Sequence, residues 1–149
     1  MDKCLKIILI TMAVAGLVSV RAFEAVFYDP LREYFTSDYM KKPVPQVDRM
    51  MFFLHTTLRY ILNTALSLFI IRLLFDNINY VKWGVYLFAG AYVLLMPVYL
   101  WFPGHAGSES AFALFYIRRF LIQPVLGMLL IPAFYYLENT DKKRKEGFR

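Results

Sequence analysis

The chain has 149 residues, of which 59% are hydrophobic and only 19% are charged. A soluble domain of this length is usually about half apolar, with about a quarter of its residues charged. The charged residues also cluster between long apolar runs, which leaves no room for a separate soluble domain. We therefore predict one membrane domain over residues 1–149. The net charge of +6 is then explained by basic residues at membrane edges, near lipid headgroups, and does not indicate a nucleic-acid partner.

Four apolar runs reach the roughly 20 residues that a helix needs to cross a bilayer. They cover residues 5–27, 51–75, 81–101 and 111–137. The runs are continuously apolar and do not alternate, which favours helices over the strands of a membrane barrel. The sequence thus predicts an all-α polytopic membrane protein with a bundle of about four transmembrane helices.

The segments between and after these runs are polar. Residues 28–50 form a proline-containing loop, in which we predict a short interfacial helix over Leu31–Tyr39. Residues 138–149 form a basic tail. We interpret the first run as a retained span and not as a cleaved signal, because Arg21 lies beside the best cleavage-like sequence and apolar residues continue past it.

The distribution of lysine and arginine sets the predicted orientation. Nine of these residues flank the spans on the side of the two termini, whereas four lie on the side of the first loop. The sequence therefore predicts that both termini are cytoplasmic. In this orientation the loop 28–50 lies outside.

Three of the predicted spans carry polar residues, each of which needs a reason, since a charge deep in hydrocarbon costs at least about 2.5–3.5 kcal/mol. In the second span, four polar residues repeat every fourth position and form one stripe: His55, Arg59, Asn63 and Ser67. In the first span, Arg21 and Glu24 are three apart and are expected to share a helix face. In the fourth, Arg118 and Arg119 precede Gln123.

The predicted topology places these groups at similar depth in the outer leaflet. We therefore expect them to converge away from lipid and to form one candidate site for an anion or a protein partner. The site consists of Arg21, Glu24, His55, Arg59, Asn63, Arg118, Arg119 and Gln123.

The charges of this predicted site do not balance, because four arginines face one acid, Glu24. Asp29 or Glu33 from the loop could fold back and supply a further carboxylate. Otherwise the arginines should bind an anion, such as a lipid phosphate or the carboxylate of a partner. A purely structural interpretation also stands, in which arginines snorkel to the interface and polar groups hold helices together.

Familiar catalytic patterns are absent from the sequence. It has no glycine-rich phosphate loop, and its two histidines, His55 and His105, do not have the spacing of metal ligands. Its one cysteine, Cys4, is predicted to lie on the opposite side of the membrane from His55, so the two cannot form a nucleophile pair. We predict no catalytic residue, no metal and no cofactor.

Five segments resemble the exosortase F system-associated membrane protein family of flavobacteria. The resemblance extends from about residue 21 to residue 136, and its most distinctive part is the run RRFLIQP. The segments are RAFE at 21–24, FYDP at 27–30, RYILNT at 59–64, FYIRRFLIQP at 115–124 and IPAFYY at 131–136.

The resemblance implies a multi-pass protein of the bacterial inner membrane that accompanies an exosortase-type sorting enzyme. Our leading hypothesis is a non-catalytic accessory protein that binds this enzyme, its C-terminal sorting signal or an anionic lipid. One alternative is an intramembrane enzyme that acts on a lipid phosphate, with His55 as the acid–base group. Another is a small transporter that uses Glu24 as a coupling carboxylate.

Overall fold

The computed structural model describes residues 3–37, 45–102 and 111–146. This part of the chain is helical and contains no strand, which confirms the predicted all-α fold. It comprises six α-helices and one 3-10 turn. The helices are α1 (Lys3–Ala22), α2 (Leu31–Thr36), α3 (Arg49–Leu74), α4 (Ile78–Trp101), α5 (Ala111–Ile122) and α6 (Val125–Glu146), and the turn is Glu24–Val26.

By length and apolar composition, three of the described helices can each cross a membrane. These are α1, α3 and α4. Helices α5 and α6 form a pair bent by 66°, and they qualify together as a fourth, broken span or as a re-entrant loop. The chain is therefore a membrane protein with three or four candidate spans. The predicted tail begins at residue 138, whereas α6 continues without interruption to Glu146.

Helix α3 is the central helix, because it packs against α1, α4, α5 and α6. Its first turn is capped by Asp48, whose carboxylate accepts hydrogen bonds from the backbone amides of Met50 and Met51. At its other end, Arg72 donates to the carbonyl oxygen of Asp76 at 3.1 Å. The Asp48 cap satisfies backbone amides that the helix itself leaves unpaired, and Arg72 ties the end of the helix to the turn that follows.

Aromatic side chains join α3 to α4. The ring of Phe52 stacks on that of Tyr99 with centroids 4.7 Å apart. The hydroxyl of Tyr60 donates to the carbonyl oxygen of Phe88 at 2.6 Å. Both tyrosines are buried. The core between these helices therefore combines packing of aromatic rings with an internal hydrogen bond from the Tyr60 hydroxyl.

Proline causes the break between α5 and α6. Pro124 has no backbone N–H and cannot continue the hydrogen-bond ladder of α5. The carbonyl oxygen of Ile122, at the end of α5, instead accepts a hydrogen bond from the amide Nδ2 of Asn63 at 2.7 Å. Beyond the break, α6 passes so close to α3 that a Cβ atom at Gly127 would lie 2.5 Å from the hydroxyl oxygen of Ser67. A glycine is required there by close helix packing.

Helix α1 lies at the edge of the bundle, where Ala13 is its only buried residue. The helix ends at Ala22, five residues before the predicted end of the first span, and the 3-10 turn follows. Arg21 and Glu24 therefore do not share a helix face, in contrast to the prediction.

A short helix, α2, begins at the predicted residue Leu31 but ends at Thr36, and Tyr39 lies outside the described residues. The location of α2 at the membrane interface stays a prediction. Leu31 and Tyr34 of α2 are buried in the main hydrophobic core. The helix thus closes one end of the bundle and holds the preceding residues, including Asp29, against it.

Candidate functional site

A buried carboxylate joins two of the predicted arginines. One oxygen of Asp29, Oδ2, accepts from Nη1 of Arg59 at 3.2 Å and from Nη2 of Arg118 at 2.6 Å. The side chains of Asp29 and Arg59 are only 5% and 2% exposed, and that of Arg118 is 13% exposed. Asp29 is therefore the loop acid that folds back, which was one of the two alternatives that the sequence left open.

A second carboxylate extends this group toward the surface. Glu24 pairs with Nε of Arg32 at 3.1 Å, and its other oxygen lies 3.8 Å from Nη2 of Arg59. We call the five residues Glu24, Asp29, Arg32, Arg59 and Arg118 the Asp29 cluster. It links the loop after α1 to α2, α3 and α5, and two carboxylates neutralise most of the charge of three guanidinium groups.

Aromatic rings cover the two arginines that bind Asp29. The guanidinium carbon of Arg59 lies 5.2 Å from the ring centroid of Phe27, and that of Arg118 lies 5.8 Å from the centroid of Phe35. Both distances fall within the range of a cation–π interaction. Exclusion of water strengthens the ion pairs, and it also means that removal of one partner leaves a buried charge uncompensated.

His55 is beside the Asp29 cluster but has a different environment. Its ring packs against those of Phe27 and Tyr28, each with a centroid distance of 6.3 Å. Its Nδ1 atom is buried and has no hydrogen-bond partner within the described chain. No described carboxylate therefore orients this imidazole, as one commonly does for a general base.

The remaining members of the predicted stripe on α3 face the inside of the bundle, as expected. Asn63 and Ser67 are 4% and 2% exposed. The amide of Asn63 donates to the carbonyl oxygen of Ile122 at the break between α5 and α6, which favours a structural role for Asn63. The hydroxyl oxygen of Ser67 is buried and has no hydrogen-bond partner in the described structure.

The other predicted residues lie in a separate region, a groove with a volume of about 740 Å³ between α1, α3, α5 and α6. We call it the Arg21 groove. Most of its lining is apolar. The groove is lined by Val14, Leu17, Val18, Arg21, Ser67, Ile70, Tyr116, Arg119, Phe120, Gln123, Pro124, Val125, Gly127, Met128 and Ile131.

The two arginines of the groove have no carboxylate partner among the described residues. Nε of Arg119 donates to Oε1 of Gln123 at 3.1 Å, and its guanidinium carbon lies 5.9 Å from the ring centroid of Phe115. Neither Arg119 nor Arg21 forms an ion pair with any described residue. Both residues are exposed.

The structure thus divides the eight predicted residues between several environments. Glu24, Arg59 and Arg118 belong to the Asp29 cluster, whereas Arg21, Arg119 and Gln123 line the Arg21 groove. His55 and Asn63 have aromatic and backbone contacts of their own. Asp29 was missing from the predicted site, and the excess of arginine over acid was the signal that pointed to it.

No group of three or more potential metal ligands occurs within residues 3–37, 45–102 and 111–146. The chain matches no protein-family model, no curated protein and no solved structure.

Proposed function

We propose that this chain is a non-catalytic accessory membrane protein of an exosortase-type sorting system. The main support for this proposal is that the carboxylate of Asp29 forms ion pairs with both Arg59 and Arg118. Together with Arg119, these were the arginines that the enzyme alternative would use as an anion clamp. Because Asp29 and Glu24 already neutralise most of their charge inside the protein, these arginines support the fold of a scaffold.

The enzyme alternative gains less support from the geometry. It requires His55 as an acid–base group beside free arginines. His55 is packed against two aromatic rings, and its nearest arginine along α3, Arg59, is bound to Asp29. The transporter alternative requires Glu24 inside a span, whereas Glu24 lies in the turn after α1 and pairs with Arg32.

The sequence resemblance supplies the proposed partner. We place the protein in a bacterial inner membrane with both termini in the cytoplasm, on the basis of the lysine and arginine distribution. The Asp29 cluster then lies on the outer side, where it would hold α2, α3 and α5 together as a rigid surface for the sorting enzyme.

Co-purification tests this proposal. The chain, carrying an affinity tag, is expressed with the exosortase-type enzyme of the same organism and purified in a mild detergent, with an unrelated four-span protein as the control. We expect the enzyme to be retained by the chain and not by the control. Absence of retention, together with normal protein sorting in a deletion strain, would contradict the proposal.

The variant His55→Ala separates the accessory role from the enzyme alternative. We expect protein sorting in a deletion strain to be restored by this variant as well as by the wild-type chain. If the variant is present in the membrane at the normal level and sorting is lost, the enzyme alternative replaces the accessory role.

A further inference from the structure

We propose that the Arg21 groove binds one anionic phospholipid, with the phosphate at Arg21 and Arg119 and an acyl chain along the apolar wall. This inference goes beyond association with a sorting enzyme and stands if that association is absent. It rests on three properties of the groove, which are its shape, its charge and its unpaired hydrogen-bond donors.

The shape of the groove suits an acyl chain. Its α1 wall extends from Val14 to Arg21, which is about 10 Å at 1.5 Å per residue, and its α6 wall extends from Val125 to Ile131, about 9 Å. This length is about a third of the hydrocarbon thickness of a bilayer. The volume of about 740 Å³ lies within the range of small-molecule sites.

The charge of the groove favours an anion. Arg21 is the second-last residue of α1, so the charged end of this wall is its carboxyl end, whereas Val14 and Val18 nearer the middle of the helix are apolar. Arg119 adds a second guanidinium group without a carboxylate partner in the described chain. Arginine binds phosphate oxygens through paired N–H groups, and a phosphodiester supplies the missing charge.

Two further donors in the wall suit the polar part of a lipid. The Oε1 atom of Gln123 accepts from Arg119, which orients the guanidinium group and leaves the amide nitrogen of Gln123 to donate. The Ser67 hydroxyl, 2% exposed and without a partner among the described groups, also lines the groove. Neutral and basic donors line the groove, and none of its described lining residues is acidic.

Lipid titration followed by native mass spectrometry tests the proposal. The purified full chain is titrated with phosphatidylglycerol and, separately, with phosphatidylcholine that has the same acyl chains. We expect one phosphatidylglycerol to bind with a preference of about tenfold over phosphatidylcholine, because both lipids carry the phosphodiester but the two arginines repel the choline cation of phosphatidylcholine; tenfold corresponds to about 1.4 kcal/mol. Equal binding of the two lipids would overturn the proposal.

Two pairs of variants locate the site. The double variant Arg21→Gln/Arg119→Gln should lose the preference, whereas Arg49→Gln, an exposed arginine that does not line the groove, should retain it. Val18→Trp should fill the groove and lower the affinity for both lipids at least about tenfold, whereas Leu94→Trp, on an exposed face of α4, should not.

The outcomes of these variants are distinct. If the double variant retains the preference, phosphatidylglycerol binds elsewhere, for example at the basic end of α6, and the proposal fails. If Val18→Trp leaves both affinities unchanged, the acyl chain does not occupy the groove, and the proposal fails as well. Unchanged melting temperatures of all four variants verify that the fold is intact. Retention of the sorting enzyme is measured separately, so failure here leaves the accessory role unaffected.

Discussion

Arg118 and Arg119 are neighbours in α5, but they belong to two regions of opposite character. Arg118 lies in the Asp29 cluster, where its guanidinium group is 2.6 Å from a buried carboxylate. Arg119 lines the Arg21 groove, where an uncharged amide is its hydrogen-bond partner. Successive side chains of a helix point about 100° apart. Arg118 can therefore face the interior of the bundle while Arg119 faces the Arg21 groove.

The comparison shows how to distinguish a structural arginine from a binding arginine in a membrane bundle. An arginine whose charge is matched by a buried carboxylate contributes to the fold. An arginine beside an apolar groove with no acid nearby has capacity left for a ligand. Substitution of an arginine in the Asp29 cluster should therefore lower stability. Substitution of an arginine in the Arg21 groove should instead change the preference for a ligand.

The largest effect is expected for Asp29→Asn. This change removes the charge that separates Arg59 from Arg118 and leaves two buried guanidinium groups without a full counter-charge. Breaking a buried pair costs about 3–5 kcal/mol, so the apparent melting temperature in detergent should fall strongly. Asp76 is exposed just beyond the C-terminal end of α3. The same chemical change there, Asp76→Asn, should have little effect on the melting temperature.

A double variant verifies the reason for this loss. Adding Arg118→Gln to Asp29→Asn removes one of the two repelling charges, so it should recover part of the lost stability. Additive losses from the two changes would show that Asp29 and Arg118 do not interact in the membrane protein, and the Asp29 cluster would then not be the structural element that we describe.

The second prediction compares the two neighbouring arginines directly. Arg118→Gln should lower stability by about 1.5–3 kcal/mol, the usual value of a hydrogen bond to a charged group. Arg119→Gln should change it by less than about 0.5 kcal/mol, because the side chain is exposed and forms no ion pair with a described residue. Thermal unfolding of both variants, in the same detergent, gives the difference. Equal losses would contradict the division into two regions.

The helices and the polar stripe of α3 could be predicted from sequence because their signals are local. Long apolar runs indicate spans, and polar residues at every fourth position must share a face, so the burial of Asn63 and Ser67 followed directly. The break at Pro124 has an equally local cause. Each of these features depends on residues that are close together along the chain.

The division of the arginines could not be predicted from depth alone. The prediction grouped Arg118 with Arg119 by their common height in the membrane, although adjacent helix positions cannot face the same neighbour. It also extended α1 through residue 27, so that Arg21 and Glu24 would share a face, whereas the helix ends at Ala22. The pairing of Asp29 with Arg118 spans 89 positions and depends on how α2 closes the bundle.

The smallest change in stability, and the sharpest test of the comparison, is expected for Gln123→Glu. This substitution changes almost only charge, and it gives Arg119 the carboxylate partner that Arg118 already has. An exposed pair of this kind contributes about 0.3–0.5 kcal/mol, so the melting temperature should hardly change. The preference for phosphatidylglycerol should nevertheless disappear, because the new carboxylate competes with the phosphate and repels it. Gln46→Glu, with the same change outside the groove, should retain the preference. If Gln123→Glu retains it too, an unpaired Arg119 is not what selects the lipid.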